Sequence, residues 1–305
     1  MNEKFMKKTI VVWVGALICC ALWGSAFPCI KLGYSWMQIA GDDSATQILY
    51  AGVRFVLAGV LVVIFGSLMR KKVLFPRKKS WSRIVKLCML QTVLQYLFFY
   101  IGLANTSGVK ASIIEGMNVF VAILVASLLF KQENLTFRKM LGCIVGFLGV
   151  VLVNISGGDV EISFRLTGEG FIFLSTVAYA FSSIVIKKYS KDEDTVMLSG
   201  WQFILGGLIM GISGFAMGGR LPAFDTRSFC MLLYLALVSA VAYTLWSILL
   251  KYNPISKVAV FGFMNPVFGV ILSAIFLQEA STLKISALIS LVLVCVGIYV
   301  AQSKA

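Results

Sequence analysis

Apolar residues occur along this chain in ten runs, each of about the 20 helical residues that a bilayer crossing requires. Short polar or basic stretches separate the runs. The predicted spans are 10–32, 46–69, 83–104, 107–130, 137–155, 168–187, 195–217, 229–250, 255–277 and 283–302. Because lipid cannot hydrogen-bond to backbone N–H and C=O groups, runs of this length must be helices. The pattern predicts an all-α integral membrane protein with ten transmembrane helices.

The fourth run, residues 108–130, carries the one carboxylate that falls in the interior of any predicted span, Glu115. It also has a near-copy in the ninth run, residues 257–277. Three residues of each copy are in register: Lys110, Met117 and Asn118 in the first, and Lys257, Met264 and Asn265 in the second. Gly262 occupies the position of Glu115. The second copy therefore repeats the pattern of the first but lacks its negative charge.

The similarity extends through both halves of the chain. Residues 22–31 align with 178–187, and residues 51–59 align with 199–207. Four aromatic positions also match, Tyr96 and Phe99 with Tyr243 and Trp246, and Glu133 matches Glu279. We assign residues 10–155 to the first repeat and 168–302 to the second. Because each repeat holds five helices, the second copy enters the membrane from the opposite side, which makes the repeat inverted.

Basic residues are distributed unevenly between the two sides of this ten-span arrangement. The loops on one side hold most of the Lys and Arg, with the densest cluster in residues 70–86. The positive-inside rule places that side, and both termini, in the cytoplasm. We expect a multi-pass protein of the inner (plasma) membrane.

Composition narrows the classes of partner and chemistry. With 59% hydrophobic and 13% charged residues, the chain has too little polar surface for a water-soluble body of 305 residues. The net charge of +14 lies in short clusters between apolar runs, so a nucleic-acid partner is not expected. The seven cysteines form no CxxC pair and there is no histidine, so we predict no metal site, no disulfide framework and no cofactor.

Two stretches stand out as possible family motifs: residues 21–27, ALWGSAF, followed by Ile30 and Lys31, and residues 266–279, PVFGVILSAIFLQE. The first resembles the opening of the EamA-type drug/metabolite transporters, and the second resembles the end of their repeat. The resemblance implies two inverted five-helix repeats, a central cavity lined by both, and movement of small organic metabolites or drugs, most often outward. The chain departs from the pattern at Phe120, in place of a proline, and at Tyr179, in place of a tryptophan.

Two charged residues are candidates for the cargo site. A charge inside the hydrocarbon costs about 2.5–3.5 kcal/mol on insertion scales, so Arg54 and Glu115 are expected to face protein or water. Both lie eight or nine residues along their helices, at similar depth, and could pair. The alternatives are a structural ion pair, or a cavity in which Glu115 receives a zwitterion or an organic cation. Glu115 is also the candidate for proton coupling.

The other candidate residues are aromatic or amide side chains and two prolines. Aromatic faces suit organic cations and flat apolar cargo, and amides bind cargo or link helices. The predicted substrate-binding residues are Glu115, Arg54, Trp23, Asn118, Tyr96, Trp201, Gln202, Tyr243 and Asn265. Pro28 and Pro266 are predicted gating positions, because proline removes a backbone donor and can kink a helix. The Gly142-xxx-Gly146 motif is typical of close helix packing, within one chain or in a homodimer.

These features favour a secondary transporter that works by alternating access on a small-molecule substrate. The family resemblance implies that it is an exporter. The sequence contains no GxxxxGK[ST] loop, so ATP-driven transport is not supported. Neither does it contain a nucleophile with a base, so the prediction is no enzyme. An importer or an exchanger of the same fold, and a membrane scaffold or receptor, are the alternatives.

Overall fold

The structure, a computed structural model, describes residues 3–105, 114–155, 165–221, 225–276 and 285–302. Every regular element in these ranges is a helix. Residues 110 and 279 are not among them, so the predicted matches of Lys110 with Lys257 and of Glu133 with Glu279 lie outside the described residues.

The first half begins with a short helix, α1 (Glu3–Met6), and then follows the predicted spans. Its helices are α2 (Thr9–Trp36), α3 (Ser44–Arg70), α4 (Ser80–Cys88), a π-helical segment (Met89–Leu94), α5 (Gln95–Ala104), α6 (Asn118–Leu124), a second π-helical segment (Val125–Leu129) and α7 (Phe137–Ile155). Residues 114–116, which include Glu115, are helical and are separated from α6 by a turn at Met117.

The described residues of the second half are also helical. It consists of a π-helical segment (Leu166–Gly170), α8 (Phe171–Tyr189), α9 (Thr195–Ala216), α10 (Thr226–Tyr252), α11 (Ile255–Ala259), a 3₁₀ turn (Val260–Phe263), α12 (Met264–Phe276) and α13 (Ile285–Gln302).

Six helical segments in the described ranges are long and apolar enough to cross a membrane. They are Thr9–Trp36, Ser44–Arg70, Ser80–Gly102, Leu166–Tyr189, Thr195–Ala216 and Thr226–Tyr252. Three further apolar helices are shorter: Ile114–Leu129, Ile255–Gly269 and Leu291–Ala301. The prediction of an all-helical membrane protein is therefore confirmed at the level of six spans, while the count of ten stays a prediction.

Aspartate side chains fix the starts of three long helices. The carboxylates of Asp43, Asp194 and Asp225 accept hydrogen bonds from the backbone N–H three residues later, at 2.9, 2.9 and 2.8 Å. These side chains satisfy N–H groups that have no partner inside a helix. The sequence places all three in the polar breaks between apolar runs.

Glycines let α3 and α9 approach each other at backbone distance. A Cβ added at Gly52 would lie 2.4 Å from the backbone nitrogen of Gly211, and one added at Gly59 would lie 2.5 Å from the carbonyl oxygen of Gly200. The numbers rise along α3 as they fall along α9, so the two helices are antiparallel. They are the second helices of the two repeats.

Helices α7 and α13 pack in the same way. A Cβ added at Gly297 would lie 2.5 Å from the backbone nitrogen of Gly146, and one added at Gly142 would lie 2.5 Å from that of Ala301. The Gly142-xxx-Gly146 motif therefore serves close packing between two helices of one chain.

Two further sets of helix contacts between the halves match each other. Helix α2 packs against α10 and α12, and its counterpart α8 packs against α5 and α6. Exchanging the two repeats converts one set of contacts into the other.

The two related runs that contain Met117 and Met264 are both interrupted at that methionine. The first has a turn at Met117, and the second has the 3₁₀ turn Val260–Phe263 directly before Met264. Pro266 lies in the first turn of α12, where its missing N–H breaks no helical bond. Pro28 lies inside α2, which continues from Thr9 to Trp36. Since the first interruption has no proline, the break does not depend on Pro266.

Candidate functional site

Five rings from five helices meet where the two halves face each other. We call Trp23, Phe55, Tyr96, Phe203 and Tyr243 the central aromatic cluster. Ring centroids are 5.1 Å apart for Trp23 and Tyr243, 4.6 Å for Phe55 and Tyr96, and 5.2 Å for Phe203 and Tyr243. The cluster brings together three of the predicted cargo residues, Trp23, Tyr96 and Tyr243.

Residues that the repeat makes equivalent touch each other in this cluster. The hydroxyls of Tyr96 and Tyr243 are 2.6 Å apart and share a hydrogen bond. Phe55 and Phe203 stack with centroids 5.4 Å apart and ring planes within 10° of parallel. Two such contacts between equivalent residues are the arrangement expected next to a two-fold axis that relates the halves.

Arg54 is the charged residue beside the cluster, and it is only 4% exposed. Its Nε and Nη2 donate to the hydroxyl of Ser239 on α10, at 3.1 and 3.0 Å. The guanidinium also lies over the ring of Phe55, 5.0 Å from the centroid. Within the described residues no ion pair joins Arg54 and Glu115, so the pairing that their depth suggests is absent.

Glu115 is half-buried in the short helical stretch before Met117, and no hydrogen bond or ion pair links it to the residues that the structure describes. Gly262, which the repeat makes equivalent to Glu115, faces the α6 side chains. A Cβ added at Gly262 would lie 3.2 Å from Val119 Cγ2 and 3.4 Å from Asn118 Oδ1. Asn118 thus lies at the contact between the two runs. Its role in binding cargo stays a prediction, and so does that of Glu115.

Trp201 and Gln202 lie away from the aromatic contacts of the cluster. Trp201 donates its indole N–H to the carbonyl oxygen of Leu74, at 2.8 Å, and its ring packs against Phe75 and Trp81. Gln202, which is fully buried, accepts a hydrogen bond from Thr92 at 2.7 Å. Both contacts connect the second half to the first.

Several buried polar atoms have no hydrogen-bond partner in the described part of the chain. Among the predicted site residues these are Trp23 Nε1, Gln202 Nε2 and Asn265 Oδ1. Two tyrosine hydroxyls near Arg54, those of Tyr34 and Tyr50, belong to the same group. A buried polar group without a partner is costly, so these atoms mark positions where a ligand or water is expected.

Sequence reasoning missed some contributors to this site. Phe55 and Phe203 were visible as a matched pair in the aligned segments 51–59 and 199–207, which was the available signal. Ser239, the hydrogen-bond partner of Arg54, lies in an apolar run and carries no pattern that would single it out. Its role depends on how α10 packs against α3.

A second polar contact between the halves joins the loop after the fourth predicted span to the start of the ninth. The carboxylate of Glu133 accepts hydrogen bonds from the backbone N–H of Ser256, at 3.0 Å, from its hydroxyl, and from Lys139 Nζ at 2.8 Å. Lys187 donates to the carbonyl oxygen of Asn253 nearby. Glu133 so caps the start of α11 and ties the α6–α7 connection of the first half to the second half.

Comparison with known proteins identifies the family. The EamA-like transporter family matches residues 10–155 and 166–302, nearly the whole chain in two copies. The chain belongs to the EamA-like transporter family. The two matched copies coincide closely with the two repeats assigned from the sequence.

Several curated proteins are similar to most of the chain. An uncharacterized transporter of Bacillus subtilis, YvbV, is 27% identical over 92% of this chain and 91% of its own length. An uncharacterized transporter of Archaeoglobus fulgidus is 26% identical over 96% and 99%. A chloroplastic WAT1-related protein of Arabidopsis thaliana is 26% identical over 89% of this chain and 65% of its own length.

A solved crystal structure has the same fold. It superposes with a TM-score of 0.75 over 95% of this chain and 96% of its own, at 16% sequence identity. As a member of the EamA-like family, the protein is an integral membrane transporter and not an enzyme.

Proposed function

We propose that the protein is a secondary transporter that moves a small organic metabolite or drug across the plasma membrane by alternating access. The contact between equivalent residues of the two halves, above all Tyr96 with Tyr243, carries this proposal. Two halves that play interchangeable roles can exchange conformations, and the site between them then opens first to one side and then to the other.

The proposed cargo site is the central aromatic cluster with Arg54 beside it. Aromatic faces accommodate flat apolar groups and cations, and the cluster is built from both halves, so parting the halves exposes it. An amino-acid-like zwitterion or an organic cation is the cargo class that we propose. Glu115 is proposed as the residue that couples transport to protons, since a titratable carboxylate near the access route can bind a proton in exchange for cargo.

The proposed topology has ten spans, both termini in the cytoplasm and net movement outward. The antiparallel contacts of α3 with α9 and of α7 with α13 support an inverted repeat, because they join equivalent helices that run in opposite directions. An importer or an exchanger would use the same site and the same conformational change.

Purified protein in liposomes tests the proposal. We expect a labelled solute from a panel of amino acids, aromatic acids and organic cations to cross the membrane without ATP, faster than in empty liposomes. Tyr243→Phe removes the hydroxyl that bonds to Tyr96 and is expected to change the rate, whereas Tyr299→Phe, at a ring that is 67% exposed, is the matched control. A scaffold or receptor would show no flux with any member of the panel.

A further inference from the structure

Arg54 has more hydrogen-bond donors than partners. A guanidinium carries five N–H groups, and in the described residues the only acceptor that Arg54 reaches is the Ser239 hydroxyl. No Asp or Glu oxygen of those residues lies within 4.0 Å of it. The side chain is 96% buried, given its exposure of 4%. A buried cation with no counter-ion is unfavourable, so the position favours an anion that arrives from outside the chain.

The neighbours of Arg54 add further donors. The hydroxyls concerned are those of Tyr50, which lies one turn before Arg54 on α3 and so shares a face of that helix with it, and of Tyr34, whose ring contacts that of Tyr50. Both are buried and make no hydrogen bond of standard geometry, although the Tyr34 hydroxyl faces that of Tyr100. The two rings touch, with centroids 5.6 Å apart, so their hydroxyls belong to one small region. Two hydroxyl donors beside a guanidinium with unused N–H groups match the needs of a carboxylate, which only accepts hydrogen bonds.

The aromatic neighbour indicates what the rest of such a ligand is. Phe55 lies under the guanidinium and is itself part of the central aromatic cluster, so a group bound at Arg54 continues into apolar rings. The residue equivalent to Arg54 in the second half is Gln202, which is neutral. The second repeat therefore does not reproduce the positive charge of Arg54.

We propose that Arg54, Tyr34 and Tyr50 form a subsite that binds the carboxylate of an organic acid or amino acid whose apolar part contacts the central aromatic cluster. This inference rests on the proposed function and narrows its cargo class: a zwitterion or an organic anion binds, whereas a simple organic cation is excluded by the charge of Arg54.

The test uses the full-length protein in lipid nanodiscs and three ligands of nearly the same shape: phenylacetate, neutral phenylacetamide and cationic phenethylamine. We expect phenylacetate to raise the melting temperature in a concentration-dependent way, and the other two to have much smaller effects. Arg54→Gln is expected to weaken phenylacetate binding about tenfold or more, and Tyr50→Phe about two- to fivefold. Arg220→Gln removes an exposed cation and is the matched control, with unchanged affinity.

Equal stabilisation by phenylacetate and phenylacetamide, or no binding of phenylacetate, benzoate or L-phenylalanine, overturns the subsite. If Arg54→Gln fails to fold, full affinity in both Arg54→Lys and Tyr50→Phe overturns it as well. Flux in liposomes separates the two proposals. Movement of cations without carboxylate binding leaves the transporter standing and removes the subsite, whereas Arg54-dependent carboxylate binding without any flux retains the subsite and removes the transport.

Discussion

Arg54 and Glu133 are both poorly exposed charged residues, and their surroundings give them different roles. The Glu133 side chain, 9% exposed, has a cation and two further donors directed at it. Burial alone would raise the pKa of its carboxyl, but the hydrogen bonds from Lys139 and Ser256 outweigh that effect and hold the pKa below its ordinary value. Glu133 is thus satisfied within the protein, whereas Arg54 is only partly satisfied by Ser239.

The lowered pKa makes the contribution of Glu133 to stability depend on pH. A carboxyl whose pKa is lower in the folded state stabilises the fold above its unfolded pKa, near 4.5, and loses that effect as the pH falls through the folded value. Glu133→Gln is expected to reduce the free energy of unfolding by about 1–3 kcal/mol at pH 7 and by much less near pH 3. Melting curves at both pH values measure this.

Glu3→Gln provides the control for that experiment, since Glu3 pairs with Lys7 at the surface, where the partners are 63% and 55% exposed. A surface pair contributes little, so its melting temperature should barely change. A Glu133→Gln variant as stable as Glu3→Gln at pH 7 would contradict the account.

Glu115 leads to a prediction about transport. If Glu115 binds a proton in exchange for cargo, the Glu115→Gln variant still folds but its flux no longer depends on pH. Flux in liposomes between pH 5.5 and pH 8.5 is the measurement, with melting temperature as the check on folding. A pH profile that matches the wild type would remove the coupling role and leave uniport or exchange.

At the scale of elements, close packing of antiparallel helices determines the contact between the halves. Helices α3 and α9 touch through glycines, and so do α7 and α13. Without a hydrophobic driving force between helices in lipid, van der Waals contact and hydrogen bonds hold such pairs together. The Gly142-xxx-Gly146 motif was recognisable in the sequence as a packing motif, but the helix that it faces was not.

Two glycines of α9 make a matched pair for testing this contact. A Cβ at Gly207 would lie 2.6 Å from the backbone nitrogen of Val56, whereas one at Gly211 would meet nothing within 4 Å. Gly207→Ala should therefore lower the free energy of unfolding by about 1–3 kcal/mol. Gly211→Ala should leave it unchanged or raise it by up to about 1 kcal/mol, because alanine favours a helix. Melting temperatures that fall equally would contradict the contact.

At the scale of the whole molecule, contacts between the halves occur at the central aromatic cluster and again at Glu133. In alternating access these contacts do not all persist through the cycle, because one side of the site opens while the other closes. The Glu133–Ser256 contact ties the loop after the fourth predicted span to the start of the ninth, and it is a candidate for one that breaks.

Cross-linking tests this movement. In a chain with the exposed Cys230 and Cys295 replaced by serine, Glu133→Cys with Ser256→Cys places two thiols across the contact. A short cross-linker that forms a disulfide with each of the two thiols should reduce flux strongly, and reduction of those disulfides should restore it. The two single-cysteine variants, treated in the same way, are the controls. Full flux in the cross-linked protein would show that this contact persists during transport.

Much of the fold could be predicted from the sequence, because a long apolar run in lipid must satisfy its backbone hydrogen bonds internally and therefore forms a helix. The all-helical architecture, the membrane location and the two copies of the repeat follow from run length and from aligned positions such as 51–59 and 199–207. The interruptions at Met117 and before Met264 were only partly predictable. Pro266 lies just after the second interruption and does not cause it, and nothing in the sequence signals the first.

Run length, repeat and charge determined which residues are unusual for a membrane interior, including Arg54, Glu115 and the matched aromatics. Only the tertiary structure decided which of them meet. Trp201 and Tyr243 are both aromatic residues in apolar helices, yet one packs beside Leu74 and the other bonds to Tyr96. Arg54 bonds to Ser239 rather than to Glu115. The physical reason is that a helix rotates to satisfy its packing, and that rotation depends on neighbours far away in the chain.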